Sequence, residues 1–232
     1  MIGLGTLANV ATILVGSAIG LILGQGIKEK YRITIMQGIA LCVLVIGLQM
    51  ALKTPNVMVD IVSLVLGSLV GEFCNIEDKL TSMGQWLGGK FQKKSQQGEV
   101  ENRFVEGFVT TSLIFCVGAM AIVGALQDGL KGDPTILYAK SLMDGVGAVI
   151  FTANFGVGVA FSALSIAIYQ GGITLLASGV GPYLTEGVIG AASSVGGILI
   201  VAISLNMLGM VKIRLGNMLP AMFIAGIIAS FL

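Results

Sequence analysis

The chain of 232 residues contains no histidine and few charged residues. The absence of histidine excludes catalysis by a Ser-His-Asp triad, zinc bound through imidazole and haem held by a proximal histidine. Charged residues make up 11% of the chain, whereas soluble domains carry about 25%. Because so few charges cannot cover a soluble surface, the composition excludes a cytosolic enzyme, a nucleic-acid-binding protein and a disordered chain.

Cysteine is also scarce. Cys42, Cys74 and Cys116 lie far apart in the sequence and form no CxxC pair, so we expect neither a disulfide nor a metal centre. No motif for a nucleotide or another cofactor is present. Without histidine or a paired-carboxylate metal motif, few groups remain for catalysis, and we expect the protein not to be an enzyme.

Apolar residues, in contrast, are abundant. Hydrophobic residues make up 55% of the chain, and the mean hydropathy is +0.96. A helix of about 20 apolar residues crosses the hydrocarbon core of a bilayer. The uncharged runs therefore predict an all-α, polytopic transmembrane bundle of about eight spans (seven to eight). The predicted spans are 4–25, 33–52, 57–74, 104–126, 135–154, 158–178, 186–209 and 216–232.

The longest uncharged run, 145–185, is too long for one crossing. Its 41 residues would form a helix of about 60 Å, roughly twice the thickness of the hydrocarbon core. Two glycines and an asparagine in the segment 154–158 lower the cost of leaving the helix. We therefore expect the chain to turn there.

The only long hydrophilic stretch begins after the third predicted span. Its first part places Ile76, Leu80, Met83 and Leu87 on one helical face, which predicts an interfacial amphipathic helix near 76–88.

The polar linker 76–103 divides a single membrane domain into a three-span part, 1–75, and a five-span part, 104–232. If the N-terminus lies outside, ten of the thirteen Lys and Arg residues fall in inner loops. The positive-inside rule therefore predicts that both termini lie outside and that the loop 75–103 is cytoplasmic. We expect a bacterial plasma membrane as the location.

An ionisable residue inside the bilayer is costly and often functional. Asp144 falls about 13 Å into the fifth predicted span by helical rise, and Lys140 lies one turn earlier on the same face. The pair can serve as a site for a cation, a proton or a substrate charge. Alternatively, it is a structural ion pair near the outer face.

Neutral amides supply the other candidate ligands for an ion or solute. They are Asn154, Gln170, Asn206 and Gln49. Amides in hydrocarbon often do no more than hydrogen-bond neighbouring helices together. The segment 144–172 differs because it combines polar side chains with helix-weakening glycines, and broken helices near the midplane can bind a solute.

Two internal likenesses suggest repeats. Residues 14–20 and 65–71 match at an offset of 51, which also pairs Asn9 with Asp60. A weaker likeness joins 46–50 to 203–207 in opposite predicted directions, as in the inverted repeats of transporters. The first pair of segments contains the small-xxx-small pairs Gly16/Gly20 and Gly67/Gly71, which bring helices together either within one chain or in a homo-oligomer.

Several segments resemble domain of unknown function 554, a family of bacterial polytopic inner-membrane proteins. They are Gly5–Asn9, Lys140–Gly145, Gly156–Ala163, Tyr169–Gly171, Gly196–Ile200, Leu205–Leu208 and Ile213–Ala221. The resemblance covers nearly the whole chain and implies a multi-pass fold without a settled activity. It also draws attention to Asp144, Gln170, Asn206 and Asn217 without giving them a role.

These observations lead to two hypotheses of function. The first is a secondary transporter or channel-like protein for an ion or small polar solute, with its site in the helix pair 144–172. The second is a non-transporting membrane scaffold or regulatory subunit whose polar residues only join helices. In either hypothesis the lipid bilayer is a partner, and no nucleic acid is expected.

Overall fold

The computed structural model describes residues 2–24, 28–79, 82, 99–116 and 119–231. These parts are almost entirely helical and contain no strand, which confirms the all-α prediction. The α-helices are α1 (Leu4–Gly24), α2 (Glu29–Ala51), α3 (Val57–Cys74), α4 (Glu99–Cys116), α5 (Ala119–Lys131), α6 (Thr135–Phe155), α7 (Ser162–Leu175), α8 (Ala177–Val180), α9 (Glu186–Met207) and α10 (Pro220–Ala229). Short 3₁₀ segments are Val157–Phe161, Gly181–Tyr183 and Leu215–Met218.

Six helices within the described ranges are long and apolar enough to cross a membrane. They are Leu4–Gly24, Ile33–Ala51, Val57–Cys74, Thr135–Phe155, Val157–Leu175 and Glu186–Met207. The protein is therefore a multi-pass helical membrane protein. Two bent helices, Arg103–Cys116 and Met120–Lys131, together pass the same test and make a seventh span if they are counted as one. With this seventh span the structure reaches the lower end of the predicted seven to eight spans, and without it the number is six.

Two predicted spans differ from the observed helices. The span 104–126 is divided between α4 and α5, whose axes are bent by 61° relative to each other. The span 216–232 contains a 3₁₀ segment and then α10, which has only 10 residues. Pro220 begins α10 because a proline at the first helical position lacks only an N–H that would be unpaired there.

The break predicted within 145–185 is confirmed. Helix α6 ends at Phe155, and Gly156 follows with a φ of +83°, a conformation that glycine adopts without steric cost. The Gly156 N–H donates to the Thr152 carbonyl at 2.8 Å and closes the last turn. Gly158 then allows the backbone to pass close to α4, because a Cβ at this position would overlap the Phe104 carbonyl oxygen.

Contacts divide the chain into two compact units, and each combines early and late parts of the sequence. The first unit contains α1 and the helices from α4 to α8, and the second contains α2, α3, α9 and α10. This grouping does not follow the division of the chain at the linker 76–103, because α1 precedes the linker and packs with helices that follow it.

In the first unit, α1 and α6 run parallel in close contact. Three glycines of α1 lie one turn apart against backbone carbonyls of α6: Gly16, Gly20 and Gly24 lie on Gly145, Val149 and Ala153. A Cβ on Gly20 would lie 2.5 Å from the Val149 oxygen, so larger residues would separate the helices.

In the second unit, α2 packs antiparallel to α9, and α3 packs antiparallel to α10. Gly47 lies on Val201 of α9, and Gly197 lies on Ala51 of α2, so the segments 46–50 and 203–207 belong to helices of opposite direction, as predicted. Gly67 and Gly71 lie against Ala221 and Asn217. Both predicted small-xxx-small pairs thus lie at helix contacts within the chain.

The predicted interfacial helix near 76–88 lies mostly outside the described residues. Residues 76–79 are helical, directly after Asn75, which adopts a left-handed conformation with a φ of 50° and ends α3. Most of the linker 76–103 likewise falls outside the described ranges.

Candidate functional site

A buried ion pair lies on one face of α6. The Lys140 ammonium contacts the Asp144 carboxylate at Oδ2, one helical turn away, so the pair predicted from their spacing is formed. Their side chains are only 8% and 10% exposed. A buried pair of this kind is stable only if further hydrogen bonds compensate for lost hydration.

Asn9 of α1 provides such hydrogen bonds and joins three helices. Its Nδ2 donates to Asp144 Oδ2 at 2.9 Å and to Gln170 Oε1 of α7 at 3.1 Å. Asn9 and Gln170 are fully buried. One amide group therefore connects α1, α6 and α7 inside the first unit.

Two threonines extend the network along α1 and α7. Gln170 Nε2 donates to Thr6 Oγ1 at 3.2 Å, and the Thr6 and Thr174 hydroxyls lie 3.5 Å apart. Thr174 Oγ1 also donates to the Gln170 carbonyl at 3.0 Å. We call Thr6, Asn9, Lys140, Asp144, Gln170 and Thr174 the polar cluster.

Helical periodicity explains how the polar cluster forms. Each helix contributes two residues that are three or four positions apart and so share a face: Thr6 and Asn9, Lys140 and Asp144, and Gln170 and Thr174. The glycine contact between α1 and α6 brings the two backbones close together. The short side chain of Asn9 can therefore reach both partner helices.

The polar cluster has no net charge, since one ammonium faces one carboxylate, and it retains one unused acceptor. Asn9 Oδ1 is buried and has no hydrogen-bond partner among the described residues. A buried acceptor without a partner costs about 1–3 kcal/mol. A proton donor or a cation placed beside it would remove this cost.

The polar cluster contains no metal-ligand set. Within the described ranges, no group of three or more Cys, Asp or Glu side chains could hold a metal ion.

The structure brings together Lys140, Asp144 and Gln170 from the predicted candidates but places Asn154 elsewhere. Asn154 lies ten residues after Asp144, about 15 Å further along α6. Its Nδ2 donates to the Ile150 carbonyl at 2.8 Å, which is a bond within its own helix.

Asn206 and Gln49 belong to the second unit. Asn206 Nδ2 donates to the Ile213 carbonyl at 2.9 Å, and its Oδ1 accepts from the Ile213 N–H at 2.8 Å. The side chain thus pairs with the backbone of the connection after α9 and holds it in place. Gln49 is exposed on α2.

Asn217, to which the family resemblance drew attention, also has structural partners. Its Oδ1 accepts from the Glu77 N–H at 2.8 Å, and its Nδ2 donates to Glu72 Oε2 at 2.5 Å. Arg214 pairs with Glu72 Oε1 at 2.5 Å and with Asp78 at 3.3 Å. Because these ionic side chains are about half exposed, their pairing contributes little to stability.

Asp128 forms a further contact that the sequence did not predict. Its Oδ1 accepts from the Gly3 N–H at 3.3 Å and its Oδ2 from the Gly5 N–H at 3.1 Å. The carboxylate is fully buried at the N-terminus of α1, where the helix dipole favours a negative charge. A residue of α5 therefore caps the first helix of the chain.

We expect Asp128→Ala to lower the free energy of unfolding by about 1–3 kcal/mol, because the buried Gly5 N–H and the partly buried Gly3 N–H lose their acceptor. Thermal unfolding of the purified protein in detergent measures the loss. Asp128→Asn is the matched control: it keeps one acceptor oxygen and should lose less. Equal stability of the Ala variant and the parent would contradict this capping role.

Comparison with known proteins places the chain in a family. The profile of a family described as "Protein of unknown function (DUF554)" matches residues 4–230. The chain belongs to this family. The resemblance found in the sequence is thus confirmed.

Two relatives of this DUF554 chain are similar over almost their whole length. "Uncharacterized membrane protein YdfK" of Bacillus subtilis (strain 168) is 31% identical over 228 residues, covering 97% of this chain and 94% of the relative. "Uncharacterized protein YqgA" of Escherichia coli (strain K12) is 29% identical over 222 residues, covering 96% and 94%. No solved structure matches this DUF554 chain.

Proposed function

We propose that the protein moves an ion or small polar solute across a bacterial plasma membrane, as a secondary transporter or a channel-like protein, with the polar cluster as its site. The observation that carries the proposal is the buried Lys140–Asp144 pair, hydrogen-bonded to an amide in helices long enough to span a bilayer. Ionisable groups in such a position usually mark a path for ions or protons.

The chemistry of the polar cluster limits the solute that it can accept. Asp144 offers a carboxylate, Asn9 Oδ1 offers a buried acceptor, and Lys140 is the cation that a solute would have to displace. A small cation, a proton or a zwitterion can compete for Asp144. An anion would instead compete for Lys140.

Transport also needs a second conformation. Asp144 is 8% exposed and Asn9 is fully buried, so a solute would reach the polar cluster only after the helices around it move apart. Alternating access would open it by moving α1 relative to α6 and α7. We further propose that both termini lie outside and that the loop 75–103 is cytoplasmic, in accord with the distribution of Lys and Arg.

The second candidate function is a membrane scaffold or regulatory subunit without transport. The dense pairing inside the polar cluster favours it, because Thr6, Gln170 and Thr174 all bond across or along helices. Such bonds stabilise helix packing and need no solute.

A flux assay on proteoliposomes separates the two functions. We expect at least one of the ions and small zwitterions tested to cross the membrane through the parent protein. Asp144→Asn should reduce that flux by at least about tenfold, because a loss of ~1.4 kcal/mol of binding free energy corresponds to a factor of ten. Asp133→Asn is the matched control, because it makes the same aspartate-to-asparagine substitution in the connection before α6, outside the polar cluster.

Both variants should first give the monodisperse elution profile of the parent. Undiminished flux in Asp144→Asn would remove the polar cluster from the pathway. Absence of flux in the parent for every solute would favour the scaffold.

A further inference from the structure

Asp60 of the second unit is a buried carboxylate without a cationic partner. It is 4% exposed and lies in the first turn of α3. Among the described residues, no Lys or Arg forms an ion pair with it. The N-terminal end of α3 favours a negative charge at this position, but a carboxylate buried to this extent needs further partners for its lost hydration.

The hydrogen bonds of Asp60 leave part of the carboxylate unused. Ser194 Oγ of α9 lies 2.7 Å from Asp60 Oδ2 and 3.3 Å from the Ala51 carbonyl oxygen. Asp60 Oδ1 is buried and has no hydrogen-bond partner within the described ranges. One carboxylate oxygen is therefore held in place while the other remains available.

A second unused oxygen shares the same helix face. Ser63 lies three residues after Asp60 and is fully buried, and its Oγ also lacks a partner in the described part of the chain. Both atoms belong to the face of α3 that packs inside the second unit, together with Gly67 and Gly71. Two such oxygens on one face are the ligands that a hard cation prefers.

The C-terminal end of a second helix lies near Asp60 and opposes the favourable dipole of α3. Helix α2 ends at Ala51, and Ser194 bridges the carbonyl of this last residue to Asp60. The C-terminal end of a helix carries a partial negative charge. A carboxylate and the negative end of α2 thus meet at Ser194, an arrangement that attracts a cation.

The internal repeat strengthens this interpretation. Position 60 corresponds to position 9 at the offset of 51, and both residues present a buried oxygen without a partner, Asn9 Oδ1 and Asp60 Oδ1. In the first unit, the cation beside the nearby carboxylate is Lys140. In the second unit, the described residues supply no equivalent cation to Asp60.

We propose that Asp60 and Ser63, together with Ser194 and the C-terminal end of α2, form a binding site for a small monovalent metal cation such as sodium. One carboxylate balances one positive charge, whereas divalent ions in proteins usually have more carboxylates or retained waters. A cation placed beside these atoms would give both buried oxygens, Asp60 Oδ1 and Ser63 Oγ, a partner.

This inference concerns binding and does not depend on transport. Radiolabelled sodium, applied to the purified protein in detergent, should bind saturably and be displaced by sodium chloride but not by choline chloride. Sodium chloride at about 100 times the dissociation constant of sodium should raise the melting temperature by roughly 5 °C relative to the melting temperature in choline chloride at the same ionic strength.

Variants on α3 identify the ligands. Asp60→Asn should abolish sodium binding, and Ser63→Ala, which keeps the carboxylate, should weaken it at least about fivefold. Ser68→Ala, a serine on the same helix that is not fully buried, is the matched control and should bind as the parent does. If Asp60→Asn fails to fold, Ser63→Ala still tests the site.

Absence of saturable sodium binding in the parent would overturn the proposal. Parent-like binding in Ser63→Ala would overturn it as well. Either result would leave the flux assay on the polar cluster unaffected.

Discussion

Lys140→Met is expected to lower the free energy of unfolding by about 3–5 kcal/mol, because it leaves the Asp144 carboxylate buried without its ion-pair partner. Asn9 would still donate to Asp144, but one neutral hydrogen bond cannot replace the ammonium. Chemical denaturation of the purified protein in detergent measures this loss.

The double variant Lys140→Met/Asp144→Leu should recover most of that stability. Neither buried charge remains in it, and replacing a buried ion pair by apolar residues is often neutral or stabilising. Lys53→Met, at an exposed lysine after α2, is the control and should change stability by less than about 0.5 kcal/mol. Parent-like stability of Lys140→Met would show that the pair does not need both charges.

Gly71→Ala is expected to produce the second large effect. A Cβ at this position of α3 would overlap the Asn217 carbonyl oxygen, which is backbone and cannot move aside as a side chain can. The 3₁₀ segment Leu215–Met218 or α3 itself would have to shift, at a cost of about 3 kcal/mol, near the upper end of ordinary overpacking. A lower melting temperature in detergent would record this cost.

Gly38→Ala provides the matched comparison. Gly38 lies inside α2, is exposed, and has no atom within 4 Å of where a Cβ would lie. Since alanine favours a helix more than glycine does, this variant should gain about 0.5–1 kcal/mol. Similar destabilisation by both substitutions would argue that the contact between α3 and the 3₁₀ segment Leu215–Met218 does not depend on the absence of a Cβ at position 71.

Features set by local sequence were predictable. Uncharged runs located the helices that can cross a membrane, the glycines at 156 and 158 located the break between two of them, and spacing along one helix paired Lys140 with Asp144. Each depends on residues that are close in sequence, where helical periodicity alone determines the geometry.

Features set by packing between distant segments were not predictable. Asn9 contacts Asp144, which is 135 residues later in the sequence, and Asp128 caps α1 by binding Gly5, which is 123 residues earlier. No local pattern indicates either contact. The bend between α4 and α5 also escaped prediction, since its residues form one continuous apolar run. Among the amides, hydropathy could not distinguish Gln170, which enters the polar cluster, from Asn154, which bonds within its own helix.

The pairing of α1 with α6 has a consequence for biosynthesis. The first helix leaves the ribosome 135 residues ahead of the aspartate that Asn9 contacts, an interval on the order of 10 s at ordinary rates of synthesis. Until then, the glycine face of α1 and its amide must be sheltered by the insertion machinery or by lipid. Nascent chains stopped before residue 144 should therefore be more accessible to quality-control proteases than completed ones.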